Sequence, residues 1–137
     1  IAALADIVVA NEMEFELLAG TALSSLEARE TALRRLHAQN GRTIVVTLGG
    51  DGAMAMENGA FHRVRSLPIT PVDTVGAGDT FCGYLAAGIA RGAGLHQALA
   101  EAAAAGSLAC LRRGAQSAIP HRGEVDAAVA DLPPCNV

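Results

Sequence analysis

The stretch "PVDTVGAGDTFCGYLAAGIARG", Pro71 to Gly92, poses the question on which the fold turns. Gly76 and Gly78 flank Ala77, Asp79 follows at once, and an apolar run then opens. The run carries the small residues Gly83, Ala86, Ala87 and Gly88, and it predicts a closely packed helix from Ala77 to about Arg91. A helix entered through small residues offers free backbone N–H groups and the positive end of its dipole, which together favour an anion. Glycine lets such a ligand approach the backbone. Asp79 nevertheless puts a negative charge in the first turn. Two readings stand side by side. One is a helix-start carboxylate, stabilising by about 0.3–1 kcal/mol through the dipole. The other is a general base beside an electropositive cradle, the pairing that phosphoryl transfer to a hydroxyl needs. Neither GxxxxGK[ST] nor GxGxxG occurs, so the two common nucleotide fingerprints do not apply.

Upstream, "RTIVVTLGGDGA" reads as a buried strand, Thr43 to Leu48, running into a glycine-rich loop. "AMAMENGAFHRVR" reads as two strands joined by Asn58-Gly59, a strong hairpin signal. "ADIVVANEMEFELLAG" predicts a strand over Asp6 to Ala10 and a helix ending at Gly20. "SSLEARETALRRLHAQNG" predicts an amphipathic helix. Ser24 and Glu27 have capping-box spacing, Leu26, Leu33 and Leu36 recur at roughly helical period, and Asn40-Gly41 stops the helix. Downstream, "GLHQALAEAAAAGSLACLRRG" predicts an alanine-rich helix closed by Gly114, and "PHRGEVDAAVADL" a last short helix before the tail "PPCNV". Strands alternating with helices indicate an α/β protein with a mostly parallel sheet and an antiparallel hairpin.

The 137 residues are half apolar, enough for one packed domain. Net charge is −4, the basic residues are scattered and aromatics are few, which argues against nucleic-acid binding. No polybasic patch or membrane span is visible. Cys82, Cys110 and Cys135 share no short spacing, and their odd number fits a reduced, cytoplasmic protein. Cys82, Cys110, Phe81 and Tyr84 are expected in the core, whereas His37, His62, His96 and His121 are expected at the surface. Ile1 in place of an initiator Met suggests a fragment.

"DTVGAGDTFCGYLAAG" resembles the second signature of the ribokinase-like, or PfkB, carbohydrate kinases. "ANEMEFELLAG" resembles their N-x-x-E segment, "VVTLGGDGA" their strand and nucleotide loop, and "RRGAQSAIP" the closing G-A-Q segment typical of ribokinases. The four motifs stand in family order and cover nearly the whole chain, but only the C-terminal half of a usual member. The resemblance implies a three-layer α/β/α, Rossmann-like fold, here partial across residues 1–137, with the N-terminal sugar-binding and lid part absent. It implies ATP and Mg²⁺ as cofactors, K⁺ besides, and a sugar as acceptor: ribose first, with fructose, 2-keto-3-deoxygluconate, a nucleoside or a sugar phosphate as rivals. A nucleotide-binding piece without turnover is the non-enzymatic rival. Family dimers form through the lid, so a homo-oligomer stays open.

Carried over position by position, Asp79 corresponds to the catalytic base and Gly76, Ala77 and Gly78 to the anion hole. Asn11 and Glu14 correspond to the magnesium and phosphate pair, whose spacing puts both on one face of a first helical turn; read alone, they are an N-cap and a solvated carboxylate. Thr47, Gly49 and Gly52 correspond to the nucleotide loop, although an ordinary strand-to-hairpin turn looks the same. Asp73, Val75, Ala109, Arg112 and Gly114 correspond to a carbonyl-lined monovalent cation site. Asp73 read alone is a turn residue, and Arg112 a helix-end charge. Three positions depart from the pattern. Ala118, next to Ser117, stands where ribokinases carry a serine ligand. Ala103, at the adenine pocket, stands where they carry His or Asn. Ala10 stands where a proline usually precedes the N-x-x-E segment.

Overall fold

The computed structural model describes residues 4–135. Ile7–Asn11 (β1) and Thr43–Thr47 (β2) pair in parallel, with Ile7 opposite Thr43 and Asn11 opposite Thr47. Parallel partners need a long crossover, which Glu12–Ala19 (α1) and Leu26–Asn40 (α2) supply. Beyond β2 the sheet turns antiparallel. Ala53–Glu57 (β3) pairs with β2, Ile44 opposite Met56 and Thr47 opposite Ala53. The reason is length: the intervening 3-10 turn, Gly49–Asp51, is far too short for a crossover. Ala60–Val64 (β4) completes the order β1-β2-β3-β4, so the sheet is mixed. The Asn58-Gly59 turn has φ of 49° and 78°. Both are positive, as the turn whose twist suits a hairpin requires.

The chain divides into two compact units, residues up to Gly49 with Ala53–Arg63, and Gly50–Gly52 with Val64 onward. In the first, Ile44, Val46, Leu48, Met54 and Met56 of the strands meet Phe15, Ala32 and Leu33 of the helices in one core. Each such large side chain stabilises by about 1.5–3 kcal/mol on burial. Gly20 and Gly41 end α1 and α2 in left-handed conformation, as their sequence positions foretold. The α2 cap shifts by one residue: Ser25, not Ser24, accepts the Ala28 N–H at 3.0 Å. His37 is buried rather than exposed. Its Nε2 accepts the Gly59 N–H at 2.9 Å, so its Nδ1 carries the proton and donates to the Arg42 carbonyl at 2.7 Å.

The second unit is built on Ala77–Ala90 (α3), Leu95–Ala109 (α4) and Arg122–Val129 (α5). Small residues let α3 and α4 approach closely, since a Cβ on Gly88 would lie 2.9 Å from that of Ala98. Ala104 and Ala105 pack with Val125 and Ala128, flanked by Tyr84 and Leu132. Phe81 is buried as expected, but Cys82 is exposed and Cys110 half-buried. The α4 helix stops at Ala109, five residues short of Gly114. Of the tail, Asn136 and Val137 lie outside the described residues. Among the described residues no helix is long and apolar enough to cross a membrane.

Candidate active site

Within the second unit, α3 begins at a left-handed Gly76, φ 78°. Ala77, Gly78 and Asp79 are its first three helical residues. The Ala77 N–H reaches back to the Thr74 carbonyl at 3.3 Å, and the Thr80 N–H donates to the Gly76 carbonyl at 2.9 Å. Among the described residues the amides of Gly78 and Asp79 find no acceptor. They are unpaired donors at the positive end of a four-turn helix, a ready anion site. The Asp79 carboxylate is exposed and caps nothing. Asp79 lies in the first turn, where its charge meets the helix dipole, so the helix-start reading and the general-base reading both fit its position. Thr80, next along, is buried with an unpartnered hydroxyl.

The approach to this helix is tied to the end of α4. Val72 and Asp73 both donate their N–H to the Cys110 carbonyl, at 2.7 and 3.1 Å. Asp73 in turn accepts from the Val75 N–H through Oδ1 at 3.0 Å and from the Gly114 N–H through Oδ2 at 3.1 Å. These two backbone donors, Val75 foremost, hold its carboxyl below the usual aspartate value. The same bonds explain why α4 ends early. To continue, the helix would need the Gly114 N–H on the Cys110 carbonyl; the carbonyl serves Val72 and Asp73 instead, and the amide serves Asp73. A Cβ on Gly76 would lie 3.0 Å from that of Ala115, so the segment 113–116 lies directly against the helix entrance.

Of the other residues expected at a cation site, Val75 is largely exposed and Ala109 is buried at the last position of α4. The Arg112 side chain turns away to pair with Glu124. Ala118 is buried and supplies no side-chain oxygen, while the Ser117 hydroxyl donates to the Arg113 carbonyl. Ala103 is buried inside α4, its carbonyl accepting from the Ser107 hydroxyl at 2.8 Å. Gly52, φ 95°, passes so near β4 that a Cβ would fall 2.1 Å from the Val64 carbonyl oxygen. Only glycine fits there.

Within the first unit, Asn11, Glu14, Thr47 and Gly49 gather at the carboxyl ends of the parallel strands. Asn11 and Thr47 are register partners, and Gly49 opens the turn beyond. Ligands of α/β sheets bind at that end. Asn11 and Glu14 form a reciprocal capping box: Oδ1 accepts from the Glu14 N–H and Oε2 from the Asn11 N–H, both at 2.9 Å. This leaves Oε1 of Glu14 for other partners.

The sequence reading passed over Glu101. This carboxylate is 3% exposed yet charged, held by Arg122 through two bonds of 2.9 and 3.0 Å, by Arg91 at 2.8 Å and by Gln97 at 3.1 Å. Burial alone would raise its pKa, but the hydrogen bonds from Arg122, Arg91 and Gln97 prevail and lower it. A lone acid in an alanine run was the available signal.

Comparison with known proteins follows the same residues. Residues 1–122 match the sequence model of the pfkB family carbohydrate kinases. The chain is 30% identical over 121 residues to a ribokinase from Haemophilus influenzae, covering 88% of this chain and 40% of that protein. It is 36% identical over 78 residues to a fructoselysine 6-kinase from Shigella flexneri, covering 57% of this chain and 30% of that protein. The structure of Arabidopsis thaliana ribokinase complexed with ribose and ATP superposes with a TM-score of 0.83, at 31% identity, over 90% of this chain and 40% of that one. The chain thus spans less than half the length of the relatives it matches.

Proposed function

Because the chain belongs to the pfkB family of carbohydrate kinases, we propose that it is the nucleotide-binding and catalytic section of an ATP-dependent kinase that phosphorylates a sugar hydroxyl, with ribose as the acceptor. The observation that carries this reading is the start of α3: an exposed, uncapped Asp79 beside two backbone amides without acceptors. In the proposed reaction the Gly76-Ala77-Gly78 entrance is the anion hole, and its acceptor-free amides, Gly78 and Asp79, take up the negative charge of the phosphoryl in transit. Asp79 accepts the proton of the attacking hydroxyl. Asp73 holds the loop that aims those amides, by its bonds to Val75 and Gly114. By their family positions Thr47, Gly49 and Gly52 are assigned to the nucleotide loop and Ala103 to the base end, where its methyl offers no polar contact.

Two ions enter the proposal. Magnesium uses few protein carboxylates together with substrate phosphates and water. Glu14, with one oxygen outside its capping bond and Asn11 beside it, fits that sparse demand. Bound there, magnesium would offset phosphate charge. K⁺ calls for an oxygen-rich, weakly charged cradle. The Asp73 carboxylate and the carbonyls of Val75, Ala109, Arg112 and Gly114 supply such oxygens, one hydroxyl fewer than the family pattern because of Ala118.

The extent of the match, 40% of the ribokinase, favours a second reading in which the chain binds nucleotide but turns over only with the remainder of the fold. The experiment is ADP release from ATP with Mg²⁺, K⁺ and ribose, run with the parent protein and with Asp79→Asn. The kinase reading expects turnover to fall about 10²- to 10⁴-fold in the variant, with MgADP affinity kept. Equal turnover overturns Asp79 as the base. MgADP binding without turnover in either protein selects the second reading.

A further inference from the structure

Four ties moor the segment between α4 and α5, which carries Ala115 against Gly76. Asp73 holds the Gly114 amide. Arg112 pairs with Glu124. The Tyr84 hydroxyl of α3 donates to the Pro120 carbonyl at 2.7 Å. Arg122, the first residue of α5, forks onto both oxygens of Glu101. The last tie alone is anchored on a buried charge. Arg122 also reaches Asp126 at 2.7 Å, so Arg91, Glu101, Arg122 and Asp126 form a charge-balanced chain. A two-pronged guanidinium–carboxylate bond fixes orientation as well as distance. Between Arg122 and Ala115 lie only six residues, three of them in a 3-10 turn, Gln116–Ala118. Little slack separates the fork from the wall of the helix entrance.

We propose that Glu101 is a positioning residue for the anion-binding entrance of α3, acting through Arg122 and the 113–121 segment rather than by touching a substrate. The proposal rests on the kinase reading for its purpose but not for its test. Arg91 provides the internal contrast. It binds the same carboxylate, at Oε2, from the far end of α3, but makes no bond of its own to the 113–121 segment. Loss of Arg91 weakens the buried pair without freeing the segment; loss of the Arg122 fork frees it.

The test is amide hydrogen exchange followed by NMR at Val72, Asp73 and Gly114, whose N–H groups bond across this junction, and at Val75, whose N–H is held by the same Asp73 carboxylate that takes Gly114. Val45 and Val46 in β2 serve as the reference. Glu101→Gln and Arg122→Lys are expected to speed exchange at the four junction amides about ten-fold, the effect of a charge-assisted bond lost in a local opening. Arg91→Lys is expected to leave them within a factor of about two, the scatter ordinary for surface changes. Equal acceleration in the Arg91 and Arg122 variants, acceleration spread evenly over the whole chain, or no acceleration at all overturns the proposal. Should Glu101→Gln fail to fold, the two arginine variants decide by the same criteria. MgADP titration of the parent protein is read separately: absence of binding would remove the kinase reading and leave the exchange result standing.

Discussion

Gly76 bears two demands at one atom. Its φ of 78° belongs to the left-handed region, which costs other residues about 1–2 kcal/mol. A side chain there would also press on Ala115, whose Cβ would lie 3.0 Å away and Cα 3.1 Å. Neither demand is met by helix propensity, because Gly76 precedes the first helical turn. Gly76→Ala is therefore expected to cost about 2 kcal/mol or more in urea unfolding. It should also weaken MgADP binding, because the entrance amides shift with Ala115. Gly83→Ala, with no heavy atom near the added Cβ, is the matched control and is expected to be neutral or stabilising. The entrance itself was legible in the sequence, because small residues before an apolar run have few other uses. Its moorings were not. Asp73 reads as a turn residue, and only the folded chain brings Gly114, 41 positions away, to its carboxylate.

Elements were legible where their boundaries rest on local chemistry. Gly20, Gly41 and the Asn58-Gly59 turn punctuate the chain as expected, since each needs a positive φ that few residues tolerate. Boundaries set by distant partners were misread. Ser24 and Ser25 are equivalent caps by composition; seating Ala32, Leu33 and His37 inward goes with Ser25. The end of α4 is decided by Val72 and Asp73 taking the Cys110 carbonyl, which no pattern in the alanine run announces. His37 lies inside because both ring nitrogens find backbone partners, a condition invisible to periodicity. Cys82 lies outside because its face of α3 is not the one that meets α4. The antiparallel step from β2 to β3 follows from a turn of three residues, a length the glycine-rich loop could have disclosed.

At the scale of the whole molecule, acid should act unevenly. The carboxylates of Asp73, Glu101 and Glu124 are all held below their ordinary range, and all three belong to the second unit. For Glu124 the His121 amide is the leading cause, with Arg112 next. A carboxyl whose folded pKa is depressed favours the folded state fully above its unfolded value. That contribution disappears as pH falls from there through the folded value. Stability carried by these groups is thus intact above about pH 5 and is lost progressively below about pH 4. Between pH 6 and pH 3 the exchange of amides in α3, α4 and α5, corrected for the intrinsic effect of pH, is expected to rise before that of β2. Simultaneous loss in both units would contradict it.

The burial of His37 also bears on how the protein ages. An Asn-Gly link decays when the glycine nitrogen attacks the asparagine carboxamide, expelling ammonia and leaving a succinimide that water opens to aspartate or isoaspartate. The chain has two such links, Asn40-Gly41 and Asn58-Gly59. One residue holds both nitrogens: the Gly41 N–H donates to the His37 carbonyl at 2.7 Å, and the Gly59 N–H to its imidazole at 2.9 Å. His37→Ala removes only the second restraint. On prolonged storage, peptide mass mapping of that variant should show isoaspartate accumulating at position 58 sooner than in the parent, while position 40 keeps pace with it. A single imidazole then sets the shelf life of the hairpin turn.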